Sequence, residues 1–72
     1  MVEENVWHEI YVEGYPWKIA KIDSTHVKMK ASETGSPAVY HIRQLKHRGR
    51  LYDEIVEWLS GGESIEGKFF NL

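Results

Sequence analysis

Apolar and polar residues alternate along the first half of the chain. Between residues 6 and 12 the valines, His8 and Ile10 fall on one face, while Trp7, Glu9 and Tyr11 fall on the other. A period of two is typical of a half-buried β-strand. Similar short segments follow, so the pattern predicts four strands, over residues 6–12, 17–22, 26–31 and 38–42. In the third, Val27 and Met29 are predicted to point inward and Lys28 and Lys30 outward.

The segments between these strands have the composition of turns. Residues 13–16 (Glu-Gly-Tyr-Pro) and 23–25 (Asp-Ser-Thr) predict tight turns, and residues 32–37 (Ser-Glu-Thr-Gly-Ser-Pro) predict a flexible loop. Consecutive strands with short connections usually pair with their neighbours. The first 42 residues therefore predict an antiparallel meander.

The periodicity changes to that of a helix after the fourth strand. Apolar residues spaced at i, i+4, i+7 and i+8 predict a helix over 51–60 with one apolar stripe: Leu51, Ile55, Trp58 and Leu59. The glycines at 61–62 predict its end. Segment 63–72 holds three more large apolar residues, which predicts a fifth strand or an anchor packed against the sheet.

These elements predict one α+β domain, β-rich, that spans residues 1–72. Two architectures fit four or five short strands and one C-terminal helix. The strands either curl into a small SH3-like barrel or form an open antiparallel meander whose apolar face packs on the helix. Short strands and closely spaced turns favour the barrel.

The amino-acid composition indicates the cellular compartment in which the protein is expected. The 72 residues contain no cysteine, which removes disulfide bonds and thiolate chemistry and favours the cytoplasm. Residues 1–5 are acidic where a signal peptide is basic, and no apolar run is long enough to cross a membrane. We therefore expect a cytoplasmic protein without a membrane partner.

Charge is strongly segregated along the chain. Residues 1–14 sum to −4, residues 15–50 to +6 and residues 51–72 to −4, which gives the net charge of −2. A basic middle between acidic ends suggests a polyanionic partner for the middle. The sequence leaves open whether the acidic ends fold over the basic residues and neutralise them.

The segment between the fourth strand and the helix is the main functional candidate. Clustered Lys and Arg side chains neutralise phosphates and release counterions, so this segment predicts binding of DNA or RNA with little sequence specificity. Exposed rings such as Trp7, Tyr11, Tyr15 or Trp17 could then stack on unpaired bases. The predicted contact residues are Arg43, Lys46, Arg48 and Arg50, extended by Lys28 and Lys30 on the neighbouring strand.

Two alternatives accompany the nucleic-acid prediction. In the first, the basic residues are a solvated surface whose charges pair with the acidic ends. In the second, the protein is an interaction or inhibitory module, of the kind that phages and mobile elements encode, and binds a protein through the same patch or the helix face. Tyr52 and Val56 lie off the apolar stripe and are the candidates for that face, in a monomer or a homodimer.

Enzymatic and metal chemistry are poorly supported. The serines lie in turn or loop contexts, and no nucleophile or phosphate-loop motif is present. His41 and His47 have a spacing close to that of some zinc sites, but no cysteine accompanies them and neighbouring cations repel a metal ion. We therefore expect no catalytic residue, cofactor or metal.

Three short segments resemble a known family. Residues 17–22 (Trp-Lys-Ile-Ala-Lys-Ile), 27–30 (Val-Lys-Met-Lys) and 39–46 (Val-Tyr-His-Ile-Arg-Gln-Leu-Lys) are similar to the SH3-like barrel at the C-terminal end of retroviral and retrotransposon integrases. In that barrel an aromatic-Lys-Ile strand precedes a strand and a His-Val-x-x-Leu-Lys ending. The resemblance covers about 30 residues and implies a barrel that binds DNA or chromatin. The acidic N-terminal strand and the helix fall outside it.

Overall fold

A five-stranded sheet and one α-helix form most of the structure, a computed structural model that describes residues 3–31 and 33–71. Each observed strand of the meander, and the helix, lies within two residues of its predicted bounds. The elements in chain order are β1 (His8–Val12), β2 (Tyr15–Lys21), β3 (His26–Lys30), β4 (Ala38–His41), a 3₁₀ helix (Ile42–Arg48), α1 (Arg50–Leu59) and β5 (Phe69–Phe70).

The strand order is β4-β3-β2-β1-β5. The first four strands pair antiparallel with their sequence neighbours, whereas β5 pairs parallel with β1. The prediction of a small α+β fold with a mostly antiparallel sheet and a C-terminal helix is confirmed. The SH3-like barrel is not confirmed, because β4 and β5 lie at opposite edges and the sheet does not close.

The turn between β1 and β2 is tighter than predicted. Only Glu13 (φ 53°) and Gly14 (φ 82°) lie outside the strands, as in a two-residue turn that needs positive φ at both positions. Pro16 is not part of this turn but lies within β2, opposite Tyr11. A proline fits there because its nitrogen points away from β1, and β3 ends opposite Lys18 before it could pair with that position.

The left-handed conformation at Gly14 leads to a first prediction. Gly14→Ala is expected to destabilise the protein by about 1 kcal/mol, because a Cβ is strained at positive φ even where, as here, no neighbouring atom would touch it. Urea denaturation followed by circular dichroism measures the loss. Gly14→Asn is the control and should lose less, since asparagine tolerates this conformation. Equal stability of wild type and Gly14→Ala would contradict the prediction.

The core lies between one face of the sheet, called the inner face, and a layer formed by the 3₁₀ helix, α1 and the segment before β5. The strands contribute inward side chains at alternate positions, as the sequence pattern predicted. The helical layer covers them with Leu45 and with the predicted stripe of α1. The buried apolar side chains that pack together in this core are Ile10, Ile19, Val27, Met29, Leu45, Leu51, Ile55, Trp58, Leu59, Ile65 and Phe70.

The C-terminal segment runs alongside β1 and anchors on the core. Backbone bonds join Gly67 N to Glu9 O (2.7 Å) and Tyr11 N to Lys68 O (2.9 Å). The Glu66 carboxylate accepts from the Glu9 N–H at 3.0 Å and lies 3.0 Å from Nδ1 of His8. Over residues 63–71 the segment is thus both a short strand and an anchor. The predictions for Met1, Val2, Ser32 and Leu72 lie outside the described residues.

The turn between β2 and β3 is organised by one carboxylate. Oδ1 of Asp23 accepts from the Thr25 N–H at 2.8 Å and from the Thr25 hydroxyl at 3.1 Å, and lies 3.0 Å from Nδ1 of His26. The backbone bond from Thr25, followed by the contact with His26, lowers the pKa of Asp23 from 3.8 to about 2. The ionised form is therefore the one that fits the folded turn.

Asp23 should make stability depend on acid pH. Because its folded pKa is depressed, its contribution is present above about pH 4 and is lost as the pH falls through the folded value near 2. Asp23→Asn should lower the melting temperature at pH 6 but flatten its decline between pH 4 and pH 2. Asp53→Asn is the control, since no other described residue bonds or pairs with that carboxylate. Parallel wild-type and Asp23→Asn curves would contradict the prediction.

Candidate nucleic-acid interface

The basic segment is a 3₁₀ helix, which the sequence did not predict. Its first turn is closed by a reciprocal cap: Nδ1 of His41 accepts from the Arg43 N–H at 3.0 Å, and the Gln44 side chain accepts from the His41 N–H at 2.8 Å. Leu45 is the one buried residue of this helix. Ile42 also packs against the core, but two apolar residues are too few to establish a period, so the His-x-x-Gln spacing was the clearer signal of the helix.

Three of the predicted contact residues project from this helix into solvent. In a 3₁₀ helix residues three apart share a side, so Arg43 and Lys46 lie together, one side away from the buried Leu45. By the same spacing Arg48 lies on the side of Leu45, but it is exposed, at the rim of a small cavity beside the core. We call Arg43, Lys46 and Arg48 the basic helix surface. No acidic residue occurs in the sequence between Glu33 and Asp53 to offset it.

The acidic ends leave the basic helix surface unpaired within the described part of the chain. Their carboxylates reach other cations: Glu9 lies 3.3 Å from Lys18, and Glu54 lies 2.8 Å from Lys68. The contact with Lys68 lowers the pKa of Glu54, and the same pair raises the pKa of Lys68. The basic helix surface therefore keeps its charge available to a ligand.

Arg50 is held differently from the other three basic residues of its segment. Its guanidinium donates to the carbonyl of Phe69 at 3.3 Å, lies 3.9 Å from the Glu54 carboxylate and stands 5.3 Å from the centre of the Phe70 ring. Gly49, with φ 58°, turns the chain between the two helices just before it. Arg50 thus sits beside β5, with more than half of its side chain exposed.

Lys28 and Lys30 do not join the basic helix surface. Both point to the face of the sheet opposite the core, which we call the outer face, whereas the 3₁₀ helix inserts Leu45 on the inner side. Their ammonium groups lie 5.1 and 4.5 Å from the centre of the Trp7 ring. The six predicted residues therefore do not form one surface. Three lie on the 3₁₀ helix, Lys28 and Lys30 lie on the outer face, and Arg50 lies at the β5 edge.

The outer face also holds a hydrogen-bonded charge cluster. The Tyr11 hydroxyl donates to Glu9 at 2.7 Å, and Lys18 lies 3.0 Å from the Glu33 carboxylate. The hydrogen bond from Tyr11, then Lys18, lowers the pKa of Glu9, and the bond to Glu9 raises the pKa of Tyr11. The contact with Glu33 raises the pKa of Lys18. All three groups stay in the protonation state that holds the cluster together.

The predicted partner face on α1 is half-buried. Tyr52 packs against the core, and Val56 is likewise only partly exposed. The ring of Trp58 is buried; its centre lies 5.4 Å from the centre of the His8 ring, and the two rings are nearly perpendicular. This leaves little apolar area on the helix for a second protein.

The remaining polar clusters offer no metal site among the described residues. No group of three or more His, Asp or Glu side chains there is arranged to hold an ion. His26 and His41 face each other across β3 and β4, with ring centres 4.8 Å apart, and His8 opens onto a shallow cleft of about 270 Å³. Over the same residues, no helix has the length and apolarity needed to span a bilayer.

No protein-family model, curated protein or solved structure matches the chain. The resemblance to the integrase barrel is accordingly limited to the short segments quoted above. The function must follow from the geometry and charge of the chain's own residues.

Proposed function

We propose that the protein is a non-enzymatic module that binds nucleic acid through the phosphate backbone. The observation that supports this most is the basic helix surface, where Arg43, Lys46 and Arg48 are exposed and unpaired among the described residues. Two carboxylates of the acidic ends, Glu9 and Glu54, pair with other cations. Three cations on one short helix can neutralise phosphates without reading bases. Binding of this kind has low sequence specificity.

Geometry limits the contribution of the other predicted residues. Arg50 already donates to a carbonyl and contacts a carboxylate, so it adds less to phosphate binding than its charge suggests. Lys28 and Lys30 face another side of the molecule and reach a ligand only if that ligand wraps round the sheet. The basic helix surface is therefore the minimal site.

A titration at two salt concentrations tests the proposal. If three phosphates are neutralised on duplex DNA, the affinity should fall about 40-fold between about 50 and 200 mM salt, because log K falls with a slope of about −0.9 per contact. Fluorescence anisotropy of a labelled duplex measures both affinities. Absence of binding at the lower salt concentration, or an affinity insensitive to salt, would overturn the proposal.

An acidic protein partner is the second candidate, because Arg48 borders an apolar cavity. A peptide with an apolar side chain next to a carboxylate would fill this cavity of about 70 Å³ and pair with the guanidinium. Polyglutamate of the same total charge as the oligonucleotide separates the two candidates: equal or tighter binding of polyglutamate would favour a protein. The cavity is lined by Val12, Trp17, Met29, Tyr40, Leu45, Arg48 and Leu51.

A further inference from the structure

Two aromatic rings lie side by side on the outer face at its β5 edge. Tyr11 of β1 and Phe69 of β5 are paired in register, and their ring centres are 4.6 Å apart with an angle of 42° between the rings. Phe69 exposes 60% of its surface, although Phe70 next to it is buried. The helical layer covers only the inner face, so among the described residues neither helix covers this pair.

The Tyr11 ring is fixed before any ligand arrives. Its hydroxyl is bonded to Glu9, which in turn contacts Lys18, and its ring rests against Phe69. A fixed flat surface loses little side-chain entropy when a second flat group stacks on it. Nucleobases are the flat groups that a neighbouring cationic surface would bring close, since each is joined to a phosphate.

Arg50 connects this ring pair with the basic helix surface. It lies two residues after Arg48, and its guanidinium donates to the carbonyl of Phe69. Arg50 thus places a cation at the β5 edge, over the inward Phe70 ring and beside the backbone of Phe69, where a strand that reaches both surfaces would pass. Farther along the same face, Lys28 and Lys30 surround Trp7 with two more cations.

We infer that Tyr11 and Phe69 form a stacking site for unpaired bases, so that the preferred ligand is a single-stranded nucleic acid. This inference rests on the proposed function and adds its ligand class. A duplex keeps the faces of its bases stacked internally and cannot use the ring pair, whereas a single strand gains both phosphate and stacking contacts. Every base has a stacking face, so this site adds affinity without strict sequence specificity.

Substitution of Phe69 tests the inference, because a residue this exposed can be changed without unfolding the protein. Phe69→Leu keeps an apolar side chain but removes the ring, and should weaken binding of a labelled 15-nucleotide single strand about 5- to 100-fold. Phe69→Tyr keeps the ring and should bind as wild type does. Binding of a duplex of equal length should be unchanged in both variants.

Tyr15→Leu is the matched control. Tyr15 is 71% exposed and lies next to the β1–β2 turn, on the opposite side of the strand pair from Tyr11. Loss of its ring should leave single-strand affinity unchanged. An equal loss in Tyr15→Leu and Phe69→Leu would overturn the inference, since it would show a general effect of removing exposed rings.

The outcomes separate the inference from the proposed function. If Phe69→Leu binds single strands like wild type, while charge reversal on the basic helix surface abolishes binding, the stacking site is wrong and the proposed function stands. If Phe69→Leu weakens the binding of single strand and duplex equally, the ring affects binding through the protein's fold and not by stacking on bases, and the inference also fails. If the wild type binds neither ligand at about 50 mM salt, both are wrong.

Discussion

Phe70→Ala is expected to destabilise the protein by about 3–5 kcal/mol, the usual cost of removing a buried aromatic ring. The ring is 1% exposed and joins the C-terminal segment to the core, while Arg50 stacks over it. A chain of 72 residues has a total stability of about 4–11 kcal/mol. The variant should therefore lose from about a quarter to all of this stability.

Phe69→Ala is the matched control, because it removes the same ring one residue earlier. Phe69 is 60% exposed, so its loss should cost less than about 1 kcal/mol. Urea denaturation followed by far-ultraviolet circular dichroism compares the two variants with wild type. Similar midpoints for Phe69→Ala and Phe70→Ala would mean that β5 does not place these rings on opposite faces.

Reversing two charges on the basic helix surface is expected to reduce duplex affinity at least 100-fold at about 50 mM salt. In the double variant Arg43→Glu with Arg48→Glu, two attractive contacts become repulsive. The dependence of log K on log salt should flatten from about −2.7 to about −0.9, because one phosphate contact remains. Anisotropy titrations over a salt series measure both quantities, and circular dichroism checks that the variant is folded.

Net charge needs its own control, since the whole protein becomes more acidic. Arg43→Gln with Arg48→Gln changes the net charge from −2 to −4, as does Thr34→Glu with Ser36→Glu in the exposed loop before β4. The first pair should bind about 10-fold or more weakly, and the second within about 2-fold of wild type. Equal losses would mean that overall charge, and not the basic helix surface, governs affinity.

The meander and α1 were predictable because each has one buried face and a regular period. Alternation identified Ile10, Val27 and Met29 as inward residues, and the stripe on α1 was correct at every position. The parallel strand β5 was not predictable as such, because its pairing with β1 depends on contacts nearly 60 residues apart in sequence. The prediction of a barrel was not confirmed for the same reason, because closure depends on pairing between edge strands that are distant in sequence.

The candidate site was predictable only in part. Alternation already placed Lys28 and Lys30 on the solvent side of β3. The face of the sheet on which the basic 3₁₀ helix lies depends on the tertiary packing of Leu45, which the local sequence does not show. The stacked rings were missed because Phe69 and Tyr11 become neighbours only through β5. Local pattern gives the face on which a side chain lies, and tertiary pairing decides what lies beside it.

The Gln44 cap also affects how the molecule behaves at high concentration. The bond from Ile42 N to Thr25 O shows that the neighbouring His41 N–H points away from β3, toward the open side of β4. An unpaired N–H there could form a backbone hydrogen bond with a strand of another molecule, which would extend the sheet as in fibril growth. The Gln44 amide occupies it. The contact that starts the 3₁₀ helix thus also removes one of the free N–H groups through which another molecule could pair with this edge strand.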